Sequence, residues 1–563
     1  VESVLVEIWE ELLGRAGIGV TQSFFELGGH SLLATQVISR VRETFQVEVP
    51  LRALFEAPTI EALAREIQRL RREGEGLLLP PLVPVPRSED LPLSFAQQRL
   101  WFIDQLQPGS FLYNAPRAIR MRGALNVSAL QRALQEIVAR HEVLRTRYAA
   151  RSGNPVQIVA PDAVIEVPLL DLSALPGMER EEKVRQIGQE EATRPFDVAV
   201  GPMVRARLLR LAAQEHVLFL TLHHIASDGW SNAIFMRELS SLYSAFCKGQ
   251  PSPLLPLPIQ YADYAAWQRE WLTGEALNRQ VSYWRDQLAG APPLLELPTD
   301  HPREQAESYG GALEAFTFPP EVQEGLRKLC REARATPFMV VLAAMKVLLY
   351  RWTGQPDLVV GTDVANRSQP QTERLIGFFL NHLVLRTRLS GDPSFREVVG
   401  RVREVCLGAY AHQDLPFDKL VEVLQPERSM SHTPVFQVLC VVHNVPPSTL
   451  QLLGLELESV DSVLPASKFD LSLFVGERDG KMEGQWVYRT DLFEASTIRR
   501  LAGQYLGVLN QVLQQPDRAI EDVELLSEST SGEEQASDRS GTTGIRDARR
   551  KAAIVVSGSE GAD

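Results

Sequence analysis

The sequence predicts a small four-helix bundle followed by a larger, two-lobed α/β domain, and three observations support this. Residues 1–73 repeat apolar side chains at helical spacing with short breaks. A proline- and glycine-rich stretch, 74–92, then interrupts every periodicity. From residue 93 to about 525, helix-like and strand-like patterns alternate over a span too long for one core, and a second proline-rich stretch at 251–258 follows its first half. A total of 563 residues agrees with more than one folding unit.

In the bundle, Val4, Leu5, Ile8, Trp9, Leu12 and Leu13 mark a first helix that ends in 14–19. Leu32, Leu33, Val37, Val41 and Phe45 form a second apolar face, and 50–55 reads as a short helical turn. Thr59 is the expected N-cap of a last helix carrying Ile60, Leu63, Ile67 and Leu70. The linker is 74–92, and its Leu77, Leu78 and Leu79 suggest that it lies against a neighbour. The first lobe is expected over 93–266 and the second over 267–526. Helices are expected at 129–141, 231–246 and 336–352. Strands are expected at 216–222, 358–362, 383–389, 435–442 and 469–475. The polar stretch 527–563 reads as a disordered tail.

Composition narrows the function classes. Lys and Arg total 58 against 71 Asp and Glu, a formal charge of −13, with no basic stripe, which argues against nucleic acid. The chain shows no signal peptide and no run long enough to span a bilayer, so the expected location is the cytoplasm, away from membranes. Its start inside a helical pattern suggests a piece of a longer chain. The four cysteines have no C-x-x-C pair and read as small buried apolar residues in a reducing compartment.

Two strings stand out chemically. Phe24-Phe25-Glu26-Leu27-Gly28-Gly29-His30-Ser31-Leu32-Leu33-Ala34 places Ser31 at the first turn of a helix, behind two glycines. Such a serine can be an ordinary cap; with no acid–base partner nearby it is not a nucleophile. His30 reads as a surface residue. The second string, 218–231, is an apolar strand ending in His223-His224-Ile225-Ala226-Ser227-Asp228-Gly229, with a helix starting near Ser231. Adjacent strand residues point to opposite sides, so only one of the two histidines can face a given cavity. A structural histidine pair and a simple Asp-Gly turn remain open at this point. No H-E-x-x-H or cysteine cluster supports a metal site.

These strings have company. The first resembles the L-G-G-[HD]-S-L motif of peptidyl carrier domains. Ser94-Phe95-Ala96-Gln97-Gln98-Arg99-Leu100-Trp101, Arg140-His141-Glu142-Val143-Leu144-Arg145-Thr146 and the His223–Gly229 string resemble successive motifs of condensation domains. Tyr261-Ala262-Asp263-Tyr264-Ala265-Ala266-Trp267, Ile376-Gly377-Phe378-Phe379-Leu380-Asn381 and His412-Gln413-Asp414-Leu415-Pro416-Phe417-Asp418 follow in family order, then Arg428-Ser429-Met430-Ser431-His432-Thr433-Pro434. The chain thus resembles a carrier–condensation pair from a nonribosomal peptide synthetase.

The resemblance implies two chloramphenicol-acetyltransferase-like lobes with a tunnel between them, entered by carrier domains from two faces. Ser31 would carry 4′-phosphopantetheine, installed by a phosphopantetheinyl transferase. His224 would sit at the tunnel centre, with His223 structural. Asp228 would pair with an arginine, with Arg140 and Arg145 both open. The Gly229 N–H and the following helix would lend the loop positive potential. Trp230, Asn381 and Ser431 are possible tunnel-lining positions, and no metal is expected. The implied reaction is amide formation, in which the α-amine of an aminoacyl thioester attacks a donor thioester. This is one step in making a secondary metabolite such as a peptide antibiotic or siderophore. An upstream adenylation domain would load the donor, and downstream adenylation and acceptor carrier domains would supply the amine. The order carrier then condensation domain fits an L-donor, L-acceptor elongating class. Ester-forming and epimerising members of the same superfamily, or an inactive recruitment platform, are the alternatives. Heterocyclisation is disfavoured, since that class carries D-x-x-x-x-D-x-x-S where this chain has HHxxxDG.

Overall fold

The structure is a computed structural model that describes residues 1–73, 80–87, 90–303, 310–426, 432–443, 450–460, 467–478 and 480–525. The linker leucines Leu77, Leu78 and Leu79, and the tail from 526 onward, lie outside the described residues.

The bundle comprises helices Glu2–Leu13, Ser31–Phe45, Leu51–Glu56 and Ile60–Glu73. Their apolar stripes meet at Leu5, Trp9, Phe24, Val37, Val41, Phe55, Leu63 and Ile67, all buried, with Trp9 edge-on to Phe24 at 5.0 Å. Thr59 Oγ1 accepts from the Ala62 N–H at 3.3 Å, the expected cap.

In the first lobe a five-stranded sheet runs in the order Leu455–Ser459, Asn114–Gly123, Glu215–His223, Val204–Ala212, Leu169–Asp171. Alternation sets its two faces: Leu218 and Leu220 join the core under helices Val127–Arg140 and Gly229–Cys247. Val217 and Phe219 pack on the other side with Val184 and Ile187 of helix Gly177–Thr193. The second lobe holds a six-stranded sheet: Asn381–Arg388, Asp357–Val364, Val438–His443, Leu471–Arg478, Lys481–Arg489, Gly311–Thr317. Its pairs are antiparallel except those of Val438–His443, which is parallel to both neighbours. Helix Pro337–Thr353 is buried along most of its length beneath this sheet, including Lys346, whose Nζ donates to Leu385 O at 2.5 Å and Thr387 Oγ1 at 2.8 Å.

The two lobes are not successive blocks of chain. Strand Leu455–Ser459 returns from the second half to edge the first lobe's sheet, and Leu375, Ile376, Phe378 and Phe379 pack in the first lobe's core. Arg99 pairs with Asp418 at 3.0 Å between the helices Phe95–Leu106 and Phe417–Leu424. Within the described part of the linker, Pro80 O accepts from Trp267 Nε1 at 2.8 Å and the Val85 N–H donates to Asp263 Oδ1 at 2.8 Å, so this stretch lies against the first lobe. The bundle rests on the second lobe: helix Leu51–Glu56 packs on Phe395–Ala411, and Arg52 pairs with Glu404 at 2.7 Å.

Candidate functional site

Strand Glu215–His223 delivers both histidines, and its pairing to Asn114–Gly123 fixes where it ends, with His223 opposite Asn114. His223 points into packing: its ring stands 5.5 Å from Phe196, and its Nδ1 accepts from the Ile225 N–H at 3.2 Å. Burial pushes its pKa down to about 3, so it is neutral at any ordinary pH. His224 begins a single turn of 3₁₀ helix, and its N–H donates to Tyr113 O at 2.9 Å. Its Nδ1 lies 3.1 Å from Ser227 O. A carbonyl can only accept, so Nδ1 carries the proton and Nε2 is left as the basic nitrogen. The His224 side chain is buried, 2 % exposed, with its ring 6.3 Å from that of Phe378. The resemblance implied a place at the centre of a tunnel; among the described residues the side chain is buried.

Asp228 caps helix Gly229–Cys247, accepting from the Ser231 N–H at 2.7 Å. Its other oxygen accepts from the Phe379 N–H at 2.9 Å. The arginine beside it is Arg367, whose Nη2 is 3.3 Å from Asp228 Oδ1 and 2.9 Å from Ser231 Oγ. This corrects the expected partners. Arg140 pairs instead with Glu238 at 3.0 Å, and Arg145 donates to Ala160 O. Both lie on the far end of helix Val127–Arg140 or just beyond it, where they brace the scaffold. The start of the helix at Gly229 is taken up by the Asp228 carboxylate, so its positive potential is spent inside the loop.

Trp230 is half-buried and its Nε1 donates to Glu373 O at 3.0 Å, which ties the loop to 370–374. Asn381 is buried, donating to Gln413 O and Leu415 O at 2.8 Å each and accepting from the Phe417 N–H at 2.9 Å. It also lines a small cavity of about 10 Å³, about the room one water needs, with Tyr264, Phe378, Phe379 and Pro416. Ser431 lies outside the described residues.

Other motifs converge on the same loop. Ser94 Oγ meets the Tyr261 hydroxyl at 2.9 Å, and that hydroxyl donates to Phe378 O at 2.5 Å. Gln97 Nε2 donates to Ile225 O at 3.3 Å. His141 Nε2 meets Glu238 at 2.8 Å, and its Nδ1 accepts from the Ile376 N–H at 3.4 Å. Gly377 must be glycine, because a Cβ there would come within 1.9 Å of the Tyr261 ring. Arg367, Tyr113 and the Phe379 N–H are the site residues that sequence reasoning missed. A charge-balance question, namely which cation could neutralise a buried Asp228, was the only available pointer to Arg367.

Ser31 opens helix Ser31–Phe45 as expected. Gly28 sits at φ 101°, and a Cβ on Gly29 would strike Phe24 at 2.3 Å, so this turn admits only glycine at both positions. His30 is not a plain surface residue: its Nδ1 accepts from the Leu33 N–H at 3.4 Å, and burial lowers its pKa to about 4. Ser31 Oγ is buried and completes no well-aligned hydrogen bond, with the Tyr410 hydroxyl beside it. An unsatisfied hydroxyl at a helix N-terminus suits a residue that takes a phosphodiester, since the first N–H groups of the helix would face the phosphate oxygens.

The family model described as condensation domain matches residues 87–533, and that described as phosphopantetheine attachment site matches 3–67. A linear gramicidin synthase of Brevibacillus parabrevis is 48% identical over 94% of the chain, and malpinin synthetase of Mortierella alpina is 42% identical over 94%. The chain spans only 7% of each of those two proteins. Among solved structures, the X-domain from teicoplanin biosynthesis has a TM-score of 0.73 and 32% identity, covering 79% of this chain and 100% of that one. The first condensation domain of the calcium-dependent antibiotic synthetase, in complex with a substrate analogue, has a TM-score of 0.65 and 21% identity, covering 78% and 100%, and shares the fold.

Proposed function

The chain belongs to the condensation-domain family, with a phosphopantetheine attachment region ahead of it, and from that premise we propose that it performs the elongation step of nonribosomal peptide synthesis. The carrier holds the donor on Ser31, and the two-lobed domain joins it to the α-amine of an acceptor brought by a downstream carrier. One juxtaposition supports the reading: the intact loop His223–Gly229, locked by Arg367, and a docked carrier serine occur in one molecule.

Residues lie in sequence from one to the other. Ser31 abuts Tyr410, the next turn holds Gln413 and Leu415 through Asn381, and Asn381 with Pro416 lines the cavity that Phe378 also walls. Phosphopantetheine on Ser31 would supply a long arm ending in a thiol, on which the donor would be held as a thioester with an activated carbonyl. An α-amine titrates at about 8, so a useful fraction is already nucleophilic, and tethering supplies most of the advantage. His224 Nε2 accepts the amine's proton as the C–N bond forms and the C–S bond breaks, and returns it to the departing thiolate. The Nδ1–Ser227 contact keeps that nitrogen basic throughout. With His224 buried, the lobes part to admit the substrates, and Ser31 leaves the Tyr410 contact to meet its transferase.

The class proposed is L-donor, L-acceptor, in the cytoplasm, with adenylation domains loading both carriers. The intact His224 and Asp228 weigh against a recruitment platform. The test is intact-mass spectrometry of donor-loaded chain mixed with loaded acceptor carriers. The proposed outcome is loss of donor mass from Ser31 and its appearance on the acceptor as an amide stable to base. Transfer that yields a base-labile ester, or no transfer to any acceptor, would refute it.

A further inference from the structure

The segment 367–375 touches the carrier on one side and the histidine loop on the other. On the carrier side, Ser39 Oγ donates to Ser368 O at 2.6 Å, and Arg40 pairs with Glu373 at 2.9 Å. Ser39 is a polar residue only 3 % exposed, so the carrier's second helix is seated closely there. On the loop side, Arg367 is the residue immediately before Ser368, and it grips Asp228 and Ser231. Glu373 itself accepts through its backbone oxygen from Trp230, two residues after Asp228. Arg367 closes the segment on itself by donating to Thr372 O and to Leu375 O, the latter at 2.8 Å.

We propose that 367–375 is a docking relay, through which a seated carrier holds Arg367 and Trp230 where they fix the Asp228 loop, so that His224 is fully positioned only under a docked carrier. This rests on the function proposed above but goes beyond delivery of substrate, because docking then also organises the site. The physical reason is that the segment is short and bonded at both faces. Movement of Ser368 or Glu373 cannot be absorbed without displacing Arg367 or the Trp230 contact. A coupled pair of sites of this kind typically shifts an equilibrium by about 5- to 150-fold.

Hydrogen exchange on the 563-residue chain carrying Ser31→Ala tests the relay without any substrate. Two variants release the carrier: Arg40→Glu, at a half-exposed position, and Ser39→Arg, which does not fit the closed seat. Loss of protection across 405–411 reports undocking, and exchange within the carrier helices reports whether the bundle stays folded. On undocking, exchange at the Ser231 and Phe379 amides rises at least about fivefold, and Arg40→Glu with Glu373→Arg restores it. If the carrier undocks while those amides exchange as before, the relay is wrong. If Ser39→Arg leaves a folded carrier docked, the seat from which the inference starts is wrong. Either failure leaves the amide-forming assay above unaffected, so the two proposals fall separately.

Discussion

Arg367 reaches Asp228 from 139 positions further along the chain, and both side chains of this ion pair are 2 % exposed. The pair joins the end of the second lobe's strand Asp357–Val364 to the histidine loop of the first lobe. It replaces solvent for a carboxylate that also takes the Ser231 and Phe379 N–H groups. The loop's shape thus depends on a residue that its own sequence does not contain.

Removing one member of this pair leaves the other charged and buried. Arg367→Met is expected to cost about 3–5 kcal/mol of stability, read as a lower midpoint in urea. Asp228→Asn leaves Arg367 charged and buried and turns an NH2 toward one of the two backbone N–H groups, so it is expected to cost a similar amount and to lower amide formation. Equal stability for Arg367→Met and the parent would show that the pair is not holding the loop.

His223 is a structural residue on this account. His223→Ala strands the Ile225 N–H in a dry setting and empties a space beside Phe196. The expected loss is about 1–3 kcal/mol, measured by thermal unfolding. A stable His223→Ala chain with full loss of amide formation would reverse the roles assigned to the two histidines.

Burial of His223 and His30 fixes the sign of the acid response. Their folded pKa values, about 3 and about 4, lie below the ordinary 6.5. The stability they lend is present above 6.5 and is lost as pH falls, because the unfolded chain takes up protons that the folded chain refuses. Unfolding midpoints should drop steadily from about pH 6.5 to about pH 4, by up to about 1.4 kcal/mol per unit for each group. His223→Phe should flatten this slope.

Lys346 acts in the alkaline range. Burial takes its pKa down from 10.5 to about 7, with Cys406, Cys440 and Asp357 as the titratable groups that oppose the shift. Between those values the unfolded chain holds a proton that the folded chain has lost, so stability rises with pH. Denaturation between pH 7 and about 8.5 should show that rise in the parent, and Lys346→Met should abolish it.

Much of the fold was legible because periodicity survives in sequence. The carrier helices and the strand Glu215–His223 emerged from apolar spacing alone. Strand Asn114–Gly123 did not, since Arg117, Arg120 and Arg122 break its alternation, and Arg120 is satisfied only in three dimensions by Glu181 and Glu215. The crossing strand Leu455–Ser459 was invisible for a similar reason: its partner, Asn114–Gly123, is hundreds of residues away. Within the site, the histidines, Asp228 and Ser31 could be read as contiguous strings. Arg367 could not, because a salt bridge across two lobes leaves no spacing signal, and Arg140 and Arg145 were nearer in sequence but are occupied elsewhere. The burial of His224 also escaped, since a motif names residues and not the gap between them.

The most direct test is single-turnover transfer from donor-loaded Ser31 to a loaded acceptor carrier, compared between the parent and His224→Ala. With folding and docking shown to be unchanged, the variant should slow by about 100-fold or more. A His224→Ala chain that transfers the donor at the parent rate would contradict the assignment of proton handling to that imidazole.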